Sequence, residues 1–135
     1  AGDPGPSALR SSQVVIDRLF AADDVEEIVA ALAADDSEFA ASTAKALERM
    51  SPTSLKITAR QLTANRGISP LDALALEYRM VFHVLERHDF YEGIRAALVD
   101  KDRNPRWKPA TLAGVGASDV EAHFAPLGDA ELALP

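Results

Sequence analysis

The fold turns on Ser69-Pro70-Leu71-Asp72-Ala73-Leu74-Ala75-Leu76-Glu77-Tyr78-Arg79-Met80-Val81-Phe82-His83-Val84-Leu85. Ser69 suits a helix N-cap, Pro70 the first helical position, where no N–H is needed, and Asp72 the returning carboxylate of a capping box. Behind this cap Leu71, Leu74, Tyr78, Val81 and Leu85 recur at steps of three and four. That is an apolar seam suited to another helix. One such helix is too short for a coiled coil, so the seam predicts a bundle.

The same signature repeats on either side. Downstream, Asp89 and Glu92 predict a capping box ahead of Phe90, Ile94, Ala97 and Leu98, with Gly93 allowing a close helix approach. Upstream, Ser51-Pro52 opens a helix expected to run to Gly67, a left-handed C-terminal cap, with Arg60 and Arg66 near its negative end. Asp35 with Glu38 predicts a cap for a helix carrying Phe39, Thr43, Leu47 and Met50. Either Asp23 with Glu26 or Asp24 with Glu27 precedes Val25, Ile28, Val29 and Leu32. Val15 with Leu19 and Ile16 with Phe20 support a short helix over about residues 11–20. Ser118 and Glu121 predict a last short helix carrying Val120 and Phe124. No stretch reads as a strand. The expectation is an all-α fold of short amphipathic helices in an irregular bundle. Residues 1–10 read as a Pro/Gly-rich flexible linker, 11–100 as the helical region, 101–117 as an irregular segment, and 118–135 as a short terminal helix and tail.

Composition sets the limits. A chain of 135 residues can bury roughly 67% of its extended surface. Much of its 47% hydrophobic content is alanine, which adds little buried area, so the core is expected to be thin and apolar stripes to await a partner surface. The net charge of −7 and the scattered Lys and Arg argue against nucleic acid. Without cysteine there is no disulfide framework or thiolate metal site, and cytoplasm is the default location. No apolar run is long enough to cross a bilayer, and the first residues do not read as a signal peptide. The start at Ala1, without an initiator Met, suggests a beginning inside a longer gene product.

No catalytic constellation assembles from these residues. His88 and Glu92 are four apart, as two zinc ligands on a helix would be, but no third ligand lies nearby and the helix is expected to restart between them. His83 reads as a partly buried histidine beside the Tyr78–Leu85 seam. Glu77-Tyr78-Arg79 offers groups for an interhelical ion pair. Gly114-Val115-Gly116 has the spacing of a phosphate loop but lacks a preceding strand and a third glycine, and reads as a linker into a helix cap. There is no nucleophile elbow.

Three segments carry a resemblance. They are Met50 to Thr58 with Arg60-Gln61-Leu62; Glu77-Tyr78-Arg79; and His88-Asp89-Phe90-Tyr91-Glu92-Gly93-Ile94-Arg95-Ala96, continuing through Leu98-Val99-Asp100-Lys101-Asp102 and Pro105-Arg106-Trp107-Lys108-Pro109. Together they resemble the C-terminal part of the 3-hydroxyisobutyryl-CoA hydrolases, a branch of the enoyl-CoA hydratase/isomerase or crotonase superfamily. The resemblance runs from about Val14 to Phe124. It implies that the chain is the helical C-terminal region of a crotonase-type protein without its α/β spiral core.

In that family the catalytic carboxylates and oxyanion-hole amides belong to the core, so the resemblance assigns no catalytic residue and no metal ligand here. Coenzyme A enters as the carrier of the parent's substrate, an acyl-CoA thioester of valine breakdown, and no separate cofactor is implied. One position carries over: Lys101 corresponds to a basic residue near the adenine end of coenzyme A, although flanking Asp100 and Asp102 offer it surface ion pairs instead. The implied partners are the parent's crotonase core, a second copy in a homo-oligomer, and acyl-CoA through the parent, with no nucleic acid and no membrane. The alternatives are an enoyl-CoA hydratase of the same superfamily and a stand-alone, non-catalytic helical interaction module. The Asp100-Lys101-Asp102 and Pro105–Pro109 wording favours the hydrolase. The isolated chain is expected to be inactive.

Overall fold

The computed structural model describes residue 5 and residues 7–132, Ala8 by its backbone alone. Among these there are helices and no strand. The chain divides into two compact units, 1–50 and 51–135, at a boundary inside the 11–100 region that reads as one helical stretch. The break falls at Ser51-Pro52, where proline cannot continue a helix from behind.

The first unit holds α1 (Ala8–Ser11), α2 (Gln13–Leu19), α3 (Val25–Ala33) and α4 (Glu38–Leu47). α1 begins within the stretch read as linker, while residues 1–4 and 6 of that stretch lie outside the described residues. Asp24 caps α3: its Oδ1 accepts the N–H groups of Glu26 at 2.8 Å and Glu27 at 3.2 Å, selecting the second of the two expected registers. At α4 the cap is Ser37, whose Oγ accepts the Ala40 N–H at 3.2 Å, and not Asp35. Asp35 is drawn elsewhere: its Oδ1 accepts the Ser37 N–H at 3.0 Å, and its Oδ2 meets Arg18 at 2.5 Å. The Ser37 side chain first, Arg18 second and the Ser37 N–H third hold its carboxyl at about 2. Leu19, Leu32 and Ala40 form the core, with Val15, Ile28, Phe39 and Leu47 packed around them. Met50 lies past the end of α4 and is exposed, so the predicted stripe stops at Leu47.

The second unit contains α5 (Pro52–Ala64), α6 (Pro70–Leu85), α7 (His88–Ile94), a π-helical turn over Arg95–Val99, and α8 (Ala117–Glu121). Short 3₁₀ turns lie at Leu112–Gly114, Ala122–Phe124 and Gly128–Ala130. Ser51 and Ser69 cap α5 and α6, accepting the N–H groups of Ser54 and Asp72, each at 3.1 Å. α5 ends at Ala64, short of Gly67, whose φ of 78° supplies the left-handed residue beyond it. Ile57, Met80, Val115, Val120 and Phe124 form the core, flanked by Leu76 and Val84.

Polar contacts tie the same elements together. Arg60 leaves the end of its own helix to pair with Glu121 at 2.7 Å and lies 5.1 Å from the centre of the Phe124 ring. Arg79 pairs with Glu131 at 2.9 Å and donates to the Phe124 carbonyl at 3.3 Å, while Glu77 accepts from Gln61 at 3.2 Å. The ion pair of α6 therefore reaches the tail. His83 is partly buried, with Nε2 3.0 Å from the Ala125 carbonyl oxygen.

Three further expectations need correction. The seam of Leu71, Leu74, Tyr78, Val81 and Leu85 is exposed, between 39% and 56%, and the stripe of α6 that faces the core is Met80, buried, with Leu76 and Val84 partly buried beside it. At 100° per residue the two stripes lie roughly 140° apart, so α6 is apolar on two well-separated sides. Second, α8 is capped by Gly116, whose N–H donates to Asp119 Oδ2 at 3.1 Å, leaving Glu121 free to pair with Arg60. Val115, just before that cap, is 3% exposed, and a Cβ on Gly114 would approach Pro109 Cβ to 2.9 Å, so this stretch is packed rather than a loose linker. Third, a Cβ on Gly93 would meet the Trp107 ring at 3.4 Å: the close approach there is by an indole of the irregular segment, not by a helix.

Candidate functional site

The Asp89/Glu92 pair does not cap α7. The helix starts at His88 behind Arg87, which makes no side-chain cap, and this places Asp89 in the first turn. Asp89 Oδ2 accepts the Ser51 hydroxyl at 2.5 Å, and Oδ1 accepts the Lys108 N–H at 2.9 Å and lies 3.0 Å from His88 Nδ1. Glu92 Oε1 accepts the Arg106 N–H at 2.7 Å, and its two oxygens receive the Arg95 guanidinium at 2.7 and 2.9 Å. Arg95 first, then the Arg106 N–H, hold the Glu92 carboxyl at about 2. Carboxylates spaced for a cap thus dock the irregular segment onto α7.

Arg95 is the hub of this arrangement. Its Nη1 donates to Asp100 Oδ2 at 2.6 Å and to Asp102 Oδ2 at 2.7 Å, and its Nη2 reaches the Asn104 carbonyl at 3.2 Å. A planar guanidinium with five donors can serve this many acceptors where an ammonium cannot. The three carboxylates push the Arg95 pKa above its ordinary value, Glu92 most strongly. Asp102 also accepts the Asn104 N–H at 2.9 Å, and that bond, followed by Arg95, holds its carboxyl below the usual range. Widening of the helix into a π-turn accompanies the clasp: the Asp100 N–H donates to the Arg95 carbonyl at 2.8 Å and the Arg103 N–H to the Ala96 carbonyl at 3.0 Å.

Lys101 stands at the apex, exposed, with φ of 57°, and Arg103 follows with φ of 53°. Both occupy the left-handed region that side chains other than glycine rarely adopt. Asp100 and Asp102, the neighbours that offer Lys101 ion pairs, bond Arg95 instead, and among the described residues no ion pair joins either of them to Lys101. Beside the clasp is an open recess of about 370 Å³ edged by His88, Arg106 and Lys108. Among the described residues no group of three His, Asp or Glu side chains is placed to hold a metal, His88 and Glu92 included.

Sequence reading singles out Lys101, with Asp100 and Asp102 as its ion-pair partners, but assigns no role to Arg95 or Arg106. A signal existed in the run of acids three, five and seven positions from Arg95. His123 is also missed: it is 3% exposed, with Nδ1 2.8 Å from the Asp119 carbonyl oxygen, and burial lowers its pKa.

The described residues thus present helices without strands, an exposed Lys101 and an outward apolar face on α6. The enoyl-CoA hydratase/isomerase family model matches residues 1–124, and the chain belongs to that family. It is similar to the mitochondrial 3-hydroxyisobutyryl-CoA hydrolases of Danio rerio, 46% identical over 96% of this chain and 34% of the relative, and of Homo sapiens, 45% identical over 87% and 30%. The chain thus spans about a third of the length of these relatives, in their C-terminal part. Among solved structures it is similar to an enoyl-CoA hydratase from Rhodobacter sphaeroides, with a TM-score of 0.91 and 40% identity over 98% of this chain and 40% of that one. A carnitinyl-CoA dehydratase from Mycobacterium thermoresistibile gives 0.90 and 42% over 98% and 38%.

The resemblance read from the three segments and the helical, crotonase-type fold are both borne out. The cytoplasmic location is overturned, because the curated hydrolase relatives are named as mitochondrial proteins. Lack of cysteine speaks to tolerance of a reducing environment and does not choose between compartments. Among the described residues no helix is long and apolar enough to cross a membrane.

Proposed function

We propose that this chain is the helical C-terminal part of an acyl-CoA thioester hydrolase that acts on 3-hydroxyisobutyryl-CoA in valine breakdown. It packs on the catalytic core of its own protein and contributes to the coenzyme A site and to the surface between copies. The observation that carries the reading is the 46% identity to a 3-hydroxyisobutyryl-CoA hydrolase over 96% of the chain. The outward stripe of α6 supports the packing role: burying Leu71, Leu74, Tyr78, Val81 and Leu85 on a partner surface accounts for an apolar face that water would otherwise cover.

In this reading the chemistry lies in the rest of the protein, where a carboxylate manages water and backbone amides stabilise the oxyanion of the tetrahedral intermediate. The present residues bind and position. Lys101, an exposed ammonium beside carboxylates already bonded to Arg95, meets the phosphate-bearing end of coenzyme A.

A second reading, an enoyl-CoA hydratase, is favoured by the likeness to the Rhodobacter sphaeroides hydratase. Incubating the full-length protein with 3-hydroxyisobutyryl-CoA and with crotonyl-CoA separates the two. The hydrolase reading expects release of free thiol from the first and no hydration of the second; hydration of crotonyl-CoA with the thioester intact would assign the hydratase. The isolated chain is expected to turn over neither compound.

A further inference from the structure

The Arg95 clasp does more than hold a loop. A lysine between two aspartates, on an exposed strip of chain, ordinarily spends its charge on its neighbours in weak, solvent-screened pairs. Here both aspartates are bonded to Arg95, at 2.6 and 2.7 Å, and Glu92 receives the same guanidinium through two bonds. The Asn104 carbonyl takes a further bond from Arg95, so one side chain gathers acceptors from α7 and from both sides of Lys101. Lys101 itself is held at φ 57°, a conformation that needs outside support. That support comes from the groups flanking it: the Asp100 N–H on the Arg95 carbonyl, the Arg103 N–H on the Ala96 carbonyl, and the Arg95 guanidinium bonded to Asp100, Asp102 and Asn104.

We infer that Arg95 is a positioning residue for phosphate recognition: by occupying Asp100 and Asp102 and enforcing the left-handed turn, it keeps the Lys101 ammonium unpaired and aimed outward at the phosphates of an acyl-CoA. Arg95 does not touch the ligand and acts through Lys101. The inference rests on the reading that Lys101 meets coenzyme A, and adds the device that makes it available.

The test uses the full-length enzyme and two substrates, the 3-hydroxyisobutyryl thioesters of coenzyme A and of pantetheine, the second lacking every phosphate. Lys101→Ala is expected to raise KM for the coenzyme A thioester roughly three- to fivefold, the effect of one exposed charged contact, and to leave KM for the pantetheine thioester and both kcat values unchanged. Arg95→Gln is expected to reproduce that pattern, and the double variant to show no further increase, because both changes remove one contact. Arg95→Lys keeps the charge without the fork. It is expected to raise KM for the coenzyme A thioester as well, and it serves where Arg95→Gln fails to fold.

If Lys101→Ala raises KM while neither Arg95 variant does, Lys101 binds coenzyme A without help from Arg95 and the inference is overturned. An Arg95 variant that alters kcat or KM for both thioesters alike has a general structural role, which also overturns it. An unchanged KM in Lys101→Ala removes the underlying reading, and with it the proposal.

Discussion

α6 presents two apolar faces with opposite fates. Leu76, Met80 and Val84 pack against Ile57, Val120 and Phe124, whereas Leu71, Leu74, Tyr78, Val81 and Leu85 face outward. The chemistry of the two stripes is alike, so composition does not decide which is covered. What distinguishes them is the partner each was matched to: the inner stripe meets residues of this chain, and the outer stripe meets residues of the protein beyond it, as proposed above. A helix apolar on two sides belongs between two layers. That position accounts for an apolar stripe left exposed on a chain that spans about a third of the length of its hydrolase relatives.

The comparison can be broken by substitution. Met80→Ala removes the most central inner side chain of α6 and is expected to destabilise the chain by about 3 kcal/mol, through lost burial and the cavity left behind, read as a lower urea midpoint. Leu74→Ala on the outer stripe is expected to change the isolated chain by less than about 0.5 kcal/mol. In the full-length protein the same change is expected to cost about 2 kcal/mol, because there the side chain is buried. Equal costs for Leu74→Ala in both settings would remove the distinction between the faces.

A smaller effect concerns the cap that starts the helix. Ser69→Ala deletes the acceptor for the Asp72 N–H, and a loss of about 1 kcal/mol is expected in either setting, since the cap lies on neither face.

The smallest effect is acid-dependent. Glu92 has a folded-state pKa of about 2 against an ordinary 4.5. A carboxylate depressed in this way stabilises the fold fully above its unfolded value, and that contribution is lost as pH falls from about 5 through 2. Carbon-detected NMR titration is expected to find Glu92 still ionised at about pH 3.5, between those two values. In Arg95→Gln, which removes the larger cause of the shift, the titration is expected to move back towards 4.5.

How much of this is legible in the sequence depends on the distance over which each group acts. The caps at Asp24, Ser51 and Ser69 are readable because their partners lie within three residues. The same local spacing misleads at Asp89 and Glu92, which, besides His88 and Arg95 close by, bond groups 14 to 38 positions away at Arg106, Lys108 and Ser51. Asp35 likewise faces Arg18, 17 positions away, leaving Ser37 to cap. Periodicity shows that α6 carries apolar stripes but does not say which partner each meets, and the seam it brings out is the outer one. Lys101 is legible only by resemblance, and the acids spaced three, five and seven positions from Arg95 hint at a hub that the folded chain then shows.

The claim that the outer face of α6 completes a larger enzyme is tested most directly by carbene footprinting of Leu71, Leu74, Tyr78 and Val81 in the isolated chain and in the full-length protein. Strong labelling of all four in the isolated chain and protection in the full-length protein is the predicted result. Equal labelling in both would contradict it.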